Sequence, residues 1–311
     1  MENLFLAEQT TSPYLIKPSF TGHQTFPFRY TWLKKGFDAV TEDPHVFSSD
    51  FATVALGVGK NMVQSIRHWC VVTEIIKTGT LLRGGWVPSE LGEFIFGDDG
   101  VDPYLDDPAT LWLIHWKIAT KMNQATAWYW VFNILKKNQF MRDDLKIEMY
   151  DWAKLQSKFL RPVSENTLQR DVNVFIRTYC QSRNTADVVE ESFDCPLVEL
   201  NLISEPLDGE GYEIQRGEKV SLPIEVFAAT LIAFWVNRFN ERDSLTFTDI
   251  LTAPLSPGCV FKLDEDTLTR YLERLEGLTN RALQYDETAD LKQVYRHREV
   301  TSMDLLKGYY G

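Results

Sequence analysis

Two places in the sequence hold residue types that could act on a phosphodiester. Asp290 and Lys292 flank Leu291 in an Asp-x-Lys triplet, and Asp286 comes shortly before it. Phosphodiester hydrolysis commonly uses a metal ion held by carboxylates, or a histidine or tyrosine that acts on the phosphate. His23 lies in an irregular Gly-His-Gln-Thr segment beside aromatic residues, where it could be a general base or a metal ligand. The catalytic candidates are therefore His23, Asp286, Asp290 and Lys292, and the sequence assigns no metal ligands.

Each candidate also has a simpler explanation. Asp-x-Lys triplets arise by chance, and this one falls in a region that reads as a β-hairpin. His23 has no partner at metal-ligand spacing, so it could instead cap the following helix or be a hydrogen-bonded core residue. Five aspartates in residues 97–108 could bind a divalent cation, but their spacing does not match an EF-hand loop. Turn and capping roles are the alternative, and Asp107 before Pro108 predicts a helix N-terminus.

Residues 51–70 predict a helix-turn-helix. Two short helices flank a turn at Gly57 and Gly59, and Ile66 and Trp69 give the second helix an inward face together with Met62. The opposite face carries polar and basic residues that could read base edges or meet phosphates, namely Lys60, Asn61, Gln64, Arg67 and His68. An ordinary helical hairpin with a solvated outer face is the competing interpretation. The segment that follows favours DNA binding, because residues 77–86 predict a hairpin wing and residues 88–97 a further helix.

The preceding helix carries three basic residues away from its apolar side, namely Arg29, Lys34 and Lys35. They could contact phosphates, or they could form an ordinary solvated face. The chain has a net charge of −12, which argues against a protein that coats DNA non-specifically. The charge is uneven, however. Residues 16–90 hold 8 basic and 6 acidic residues, whereas residues 163–311 hold 15 basic and 26 acidic residues. Contact with DNA is therefore expected to be local and salt-dependent.

The pattern of elements predicts a mainly α protein with small β-hairpin wings, arranged as tandem winged-helix-like modules. Residues 1–108 form the predicted N-terminal DNA-binding module. Residues 109–220 form a helical middle module with an acidic excursion, and its aromatic residues read as core rather than as a base-stacking platform. In this module Ser164 predicts a helix N-cap, and Arg170, Asp171 and Arg177 are predicted on its surface.

Residues 221–311 form a predicted C-terminal winged-helix-like module. It has a long amphipathic helix over 222–241, a short helix near 244–251, a helix over 264–278 and two strands around Asp286, Glu287 and Thr288. The four cysteines lie far apart and form no C-x-x-C pair, so neither a zinc ribbon nor a disulfide framework is predicted. No apolar run is long enough to span a bilayer, and the N-terminus lacks the features of a secretory signal. The expectation is a cytoplasmic protein with no membrane contact.

Several segments together resemble the SspB-like subunits of bacterial Ssp DNA phosphorothioation systems, a domain-of-unknown-function family found beside PAPS-reductase-like proteins. The resemblance spans nearly the whole chain and is carried by FTGHQTFPFRYTWLKKGFDAV, LGVGKNMVQSIRHW, LGEFIFGDDGVDPYLDDPATLWLIHW, NTLQRDVNVFIRTY, FDCPLVELNLI and SPGCVFKLDEDTL.

This resemblance implies binding to double-stranded DNA and a role in placing sulfur in the DNA backbone. It also implies DNA nicking, which would be a metal-assisted hydrolysis with Mg²⁺ or Mn²⁺, and partners that include a desulfurase, an ATPase and a PAPS-reductase-like sulfurtransferase. It carries over no catalytic residues. Two alternatives stay open: a non-enzymatic DNA-recognition and scaffold subunit whose acidic second half docks the partners, and a transcriptional regulator of a defence island.

Overall fold

The computed structural model describes residues 18–79, 83–156, 163–180, 195–207, 209–288 and 291–311. Asp290, one of the catalytic candidates, lies outside these residues. Within them the chain is mainly helical, as predicted, and it has three small antiparallel sheets. The arrangement as winged-helix-like modules stays a prediction. No helix in this part of the chain combines the length and the apolar character needed to cross a membrane.

The first part of the fold is a compact helical unit followed by a hairpin. Its elements are α1 (Tyr30–Glu42), a 3-10 turn (Val46–Ser48), α2 (Ala52–Leu56), α3 (Lys60–Val72), β1 (Ile76–Thr78), β2 (Trp86–Pro88) and α4 (Glu90–Phe96). The predicted hairpin is present, with Thr78 paired to Trp86. The Ser89 hydroxyl accepts the Gly92 N–H and so caps α4.

The middle of the chain supplies the aromatic core. Its elements are α5 (Pro108–Thr120), α6 (Thr126–Asn133), β3 (Gln139–Phe140), α7 (Arg142–Gln156), α8 (Glu165–Tyr179), a 3-10 turn (Pro196–Leu200), β4 (Ile203–Ser204) and β5 (Tyr212–Ile214). Trp112 and Trp128 are fully buried, which confirms that the aromatic residues are core. The predicted caps are also confirmed, because Asp107 accepts the Ala109 N–H and Ser164 accepts the Thr167 N–H.

The last part of the chain packs around a central helix. Its elements are α9 (Ile224–Phe239), β6 (Ser244–Thr246), α10 (Phe247–Thr252), α11 (Pro257–Val260), α12 (Glu265–Glu273), α13 (Leu275–Leu278), β7 (Leu283–Thr288), β8 (Leu291–Arg296) and α14 (Ser302–Tyr310). One continuous cluster of buried hydrophobic residues extends from Phe28 to Leu306 and includes residues of all three predicted modules. The division into three modules stays a prediction.

Two local predictions for this last part were wrong. The helix predicted as amphipathic is buried on all sides from Val226 to Trp235, because α5, α11, α13 and α14 surround it. The predicted turn at Asp286, Glu287 and Thr288 belongs to strand β7, which pairs residue by residue with β8. These three residues are all exposed, so they lack the alternation of buried and exposed side chains that would have identified them as part of a strand.

Candidate nucleic-acid interface

The turn between α2 and α3 depends on glycine at one position. Gly57 ends α2 with φ 61°, in the left-handed region that favours glycine, and its N–H reaches the carbonyls of Thr53 and Val54. Gly59 has extended backbone and precedes the first residue of α3. A Cβ at either glycine would meet nothing within 4 Å. The requirement at Gly57 is therefore conformational rather than steric, and it sets the direction in which α3 leaves the turn.

Helix α3 separates an apolar face from a polar face. Ile66 and Trp69 are fully buried as predicted, while Met62 is only half-buried and Val63 takes a buried position. On the other side Lys60, Asn61 and Arg67 are exposed and Gln64 is half-buried. Four of the five predicted α3 residues thus share one accessible face, and that face carries two cations and two amides.

The three cations of the α1 segment all contact groups within the protein. The Lys34 ammonium lies 2.5 Å from a carboxylate oxygen of Asp38, one helical turn away. Lys35 donates to the carbonyl of Leu56 at 3.0 Å and so ties α1 to the end of α2. The Arg29 guanidinium lies 5.3 Å from the centre of the Trp32 ring. Their proposed phosphate contacts stay a prediction, and forming them would compete with these interactions.

His23 is buried at the seam between the first helical unit and α8. Its Nε2 lies 3.0 Å from Asp171 Oδ1, and its Nδ1 accepts the Thr25 N–H at 3.1 Å. Because Nδ1 is an acceptor, the proton of the neutral ring lies on Nε2 and is donated to the carboxylate. Asp171 also accepts the Thr21 N–H at 2.7 Å. His23 is only 1% exposed, so action on a DNA phosphate would require this loop to open.

His68 points toward the same seam rather than along the accessible face of α3. Its ring lies 5.2 Å from the ring of Trp69 and 6.0 Å from that of His23. Burial lowers the pKa of His68 to about 3, with smaller contributions from His23 and Arg67. Among the described residues its buried Nε2 has no hydrogen-bond partner. The structure thus places His68 apart from Lys60, Asn61, Gln64 and Arg67, and its contact with DNA stays a prediction.

On the C-terminal hairpin, the two described catalytic candidates, Asp286 and Lys292, have different partners. Asp286 is exposed on β7, and its carboxylate accepts the Thr288 hydroxyl at 3.0 Å. Lys292 on β8 instead forms an ion pair with Glu287 at 3.1 Å, and its ammonium lies 5.4 Å from the Phe247 ring centre. A joint role of Asp286 and Lys292 at a phosphate stays a prediction, and it would require Lys292 to leave Glu287.

Two of the five aspartates in the aspartate-rich loop accept hydrogen bonds from the protein, while Asp98, Asp99 and Asp106 are exposed. Asp102 is buried and accepts the N–H groups of Asp106 and Asp107, and Asp107 also accepts the Tyr309 hydroxyl. Across the described residues, no three His, Cys, Asp or Glu side chains come together as a metal site. Mg²⁺ is often held by one or two carboxylates together with water and phosphate. Where the described residues supply only one or two carboxylates to a Mg²⁺ or Mn²⁺ ion, such groups would complete its coordination.

Two buried charged clusters were missed in the sequence. Asp171, predicted on the surface, is 1% exposed and binds His23, which precedes it by 148 residues. A signal was present, because Asp171 follows Leu168 by three positions and precedes Phe175 by four, within the apolar side of α8. The second cluster joins Glu74 to Lys117 and Lys121. Nothing in the sequence near either residue predicts this pairing, because Glu74 and Lys117 are 43 residues apart.

Comparison with known proteins confirms the resemblance found in the sequence. Residues 20–310 match a family of proteins of unknown function, DUF4007. A crystal structure of magnesium ion-bound SspB is similar to this chain, with a TM-score of 0.83 and 25% identity over 94% of this chain and 88% of that chain. A second SspB crystal structure gives a TM-score of 0.82 and 26% identity with the same coverage. No curated protein sequence matches the chain.

Proposed function

This chain belongs to the DUF4007 family, and from that premise we propose that it is the DNA-binding component of a bacterial DNA phosphorothioation system. The similarity to SspB supports the assignment to such a system. The observation that carries the DNA-binding role is the accessible face of α3, where Lys60, Asn61, Gln64 and Arg67 lie together after the Gly57 turn.

The surroundings of α3 favour a winged-helix-like mode of binding. Helix α1 packs against α3, and the β1–β2 hairpin follows α3 directly. In a helix-turn-helix the second helix enters the major groove, so amides would meet base edges and cations would meet bases or phosphates. In this proposal the β1–β2 hairpin forms the wing.

The test measures binding of duplex DNA by the triple variant Lys60→Ala, Gln64→Ala, Arg67→Ala. Fluorescence anisotropy is recorded between about 50 and 200 mM salt, a range over which the affinity from phosphate contacts falls steeply. Each lost phosphate contact lowers the slope of log affinity against log salt by about one, so loss of both cations should lower it by about two. Unchanged affinity and slope in the folded triple variant would remove α3 as the DNA-binding element.

A matched control removes the same residue types elsewhere. Lys137, Gln284 and Arg281 are all exposed and lie away from α3, at the start of the β3 region and on the C-terminal hairpin. The triple variant Lys137→Ala, Gln284→Ala, Arg281→Ala should keep the salt slope of the unaltered protein. A loss equal to that of the α3 variant would show that only overall charge matters.

The second part of the proposal is DNA nicking. It is supported by the description of one SspB structure as magnesium ion-bound, because divalent ions are common in phosphodiester hydrolysis. The residues described here assign no step to such an ion. The measurement is relaxation of supercoiled plasmid with Mg²⁺, with Mn²⁺ and with chelator.

Tight, salt-sensitive DNA binding without nicking would instead favour a recognition and scaffold subunit that works with the desulfurase, ATPase and sulfurtransferase. Binding confined to one promoter would favour a regulator.

A further inference from the structure

A small cavity lies where residues of the three predicted modules meet. Its volume is about 30 Å³, and its lining comes mainly from the turn after α3, from the last turn of α5 and from the last turns of α9. The charged residues of this lining are Glu74, Lys117, Lys121 and Arg238. None of them belongs to the accessible face of α3, so the cavity is a different site from the proposed DNA interface.

Positive charge is in excess around the cavity, because its lining holds three cations and one carboxylate. The two oxygens of that carboxylate are shared, since one pairs with Lys117 and the other with Lys121. Within the described part of the chain, the exposed Arg238 pairs with no carboxylate. Even if the C-terminal ends of α3, α5 and α9 each contribute about half a negative charge, their sum stays below the excess of two.

The burial of Lys117 makes this excess costly. Its side chain is only 4% exposed. Burial lowers the pKa of Lys117 below its ordinary value, Glu74 opposes that effect, and Lys121 adds to it. A buried charge loses its hydration, so it is normally compensated by an opposite charge. Lys117 shares its carboxylate with a second lysine, and an anion in the cavity would supply the missing counter-charge.

The backbone at Glu74 is an independent sign that this arrangement is held in place. Glu74 has φ 59°, in the left-handed region that glycine favours at the end of a helix. Residues other than glycine keep such a conformation where the surrounding structure requires it, often at functional sites. At this position the glutamate side chain holds the ammonium groups of both lysines beside the cavity.

We propose that the cavity binds one monatomic anion, such as chloride, between Lys117, Lys121 and Arg238. Its size selects this class of ligand. A water-sized particle needs about 10–15 Å³, so the four oxygens of sulfate or phosphate would need about 40–60 Å³. A cavity of about 30 Å³ holds a single ion but no tetrahedral oxyanion. Trp116 and Phe234 add apolar walls, which limit screening by water.

The bound anion would connect parts of the chain that are distant in the sequence. Lys117 and Lys121 belong to the end of α5, and Arg238 belongs to α9. Chloride binding should therefore stabilise the packing of these two helices against the turn after α3. This role is separate from DNA binding, and it uses none of the residues assigned to the DNA interface.

Two measurements on the full chain test the site. In chlorine NMR, exchange with a protein site broadens the line of chloride in solution, and bromide should reverse this broadening while sulfate should not. In thermal unfolding, about 200 mM sodium chloride is compared with the same concentration of sodium gluconate, whose anion is too large for the cavity. For a dissociation constant of about 50 mM, chloride should raise the Tm by about 2–4 °C.

The variants remove one cation at a time and leave Lys117 in place. Arg238→Gln should weaken chloride binding about twofold to fivefold, because this side chain is exposed. Lys121→Gln should weaken it about tenfold, because this ammonium is largely shielded from water. The matched control is Arg274→Gln. Arg274 is also an exposed arginine at the end of a helix, but it lies outside the cavity, so its removal should leave chloride binding unchanged.

Each of three results would overturn the proposal. The first is no chloride broadening and no difference in Tm between chloride and gluconate, in which case the cavity holds only water. The second is an equal chloride response in the unaltered protein, Arg238→Gln and Lys121→Gln, which would place the binding elsewhere. The third is displacement of chloride by sulfate as effectively as by bromide, which would show that size does not select the ligand.

Discussion

The buried ion cluster around Glu74 allows a sharp test of what holds α3 against the aromatic core. The Glu74 carboxylate bridges the ammonium groups of Lys117 and Lys121. The Lys117 side chain is only 4% exposed, that of Lys121 is 18% exposed and that of Glu74 is 23% exposed. Glu74→Gln keeps the shape of the side chain and removes its charge, so it takes away the carboxylate that pairs with the buried Lys117 ammonium.

The expected loss follows from the burial of the pair. Breaking a buried ion pair by removing one partner costs about 3–5 kcal/mol of unfolding free energy. Glu74 retains some contact with water, and a small cavity of about 30 Å³ beside Lys117 and Arg238 gives water some access to the cluster. We therefore expect a loss of about 2–3 kcal/mol, below the middle of the range for fully buried pairs. For domains of this order of size that corresponds to a fall in Tm of about 5–10 °C.

The dependence on pH gives an independent check. Burial alone would raise the pKa of Glu74, but the Lys117 and Lys121 ammoniums outweigh it and hold the pKa below its ordinary value of 4.5. A carboxylate with a lowered pKa stabilises the folded state fully above its unfolded value, and that stabilisation is lost as the pH falls through the folded pKa. The gap between the protein and Glu74→Gln should thus be widest near neutral pH, and it should shrink as the pH falls below the unfolded pKa of 4.5 towards the lower folded pKa.

The assay is urea unfolding followed by tryptophan fluorescence at pH 7, 5 and 4. The control is Asp143→Asn, which breaks the exposed pair with Lys146, where Asp143 is 78% exposed. An exposed pair contributes at most about 1 kcal/mol. A Glu74→Gln loss no larger than that of Asp143→Asn, or a loss that stays constant down to pH 4, would refute the reasoning.

Three further predictions follow from close contacts and buried groups. A Cβ at Gly22 would lie 2.3 Å from His68 Nδ1, so Gly22→Ala should lower the free energy of unfolding by about 1–3 kcal/mol in urea unfolding. The control is Gly277→Ala, which should be neutral or slightly stabilising because a Cβ there would meet nothing within 4 Å. Ser89→Ala removes both the cap of α4 and a donor to the Glu74 carbonyl, and should cost about 1–2 kcal/mol in the same assay. Burial lowers the pKa of both His68 and His115 to about 3, whereas an unfolded histidine titrates near 6.5. Stability should thus fall by about 1.4 kcal/mol per pH unit for each of them as the pH drops below 6.5, and a flat profile between pH 6.5 and 5 would contradict their burial.

Helix caps and helix faces could be predicted from the sequence, because each depends on one short segment of the chain. The caps at Ser164 and Asp107 both form as predicted, because a side-chain oxygen three residues or fewer from an amide needs no distant partner. The α3 face was predicted in the same way, from helical periodicity. The misplaced turn at Asp286 shows the limit, since an exposed edge strand carries no burial pattern that fixes its end.

The buried polar contacts could not be predicted, because their partners are brought together only by the fold. Nothing near His23 indicates Asp171, and nothing near Glu74 indicates Lys117. The amphipathic interpretation of α9 failed for a related reason. Helix α9 has a few polar positions, and these suggested an exposed face. Its burial on all sides depends on helices that are distant in the sequence, so the local pattern could not predict it.

The position of α14 has a consequence for how quickly the protein unfolds. Tyr310 binds Thr110 and Tyr309 binds Asp107, so these contacts at the start of α5 close loops of 200 and 202 residues. Closing a loop costs an entropy that grows with its length, by about 0.6 kcal/mol for each doubling. Contacts of such separation form late, after local turns and caps. Substitutions at Tyr309 or Tyr310 should therefore act mainly by speeding unfolding, while the refolding rate stays close to that of the unaltered protein.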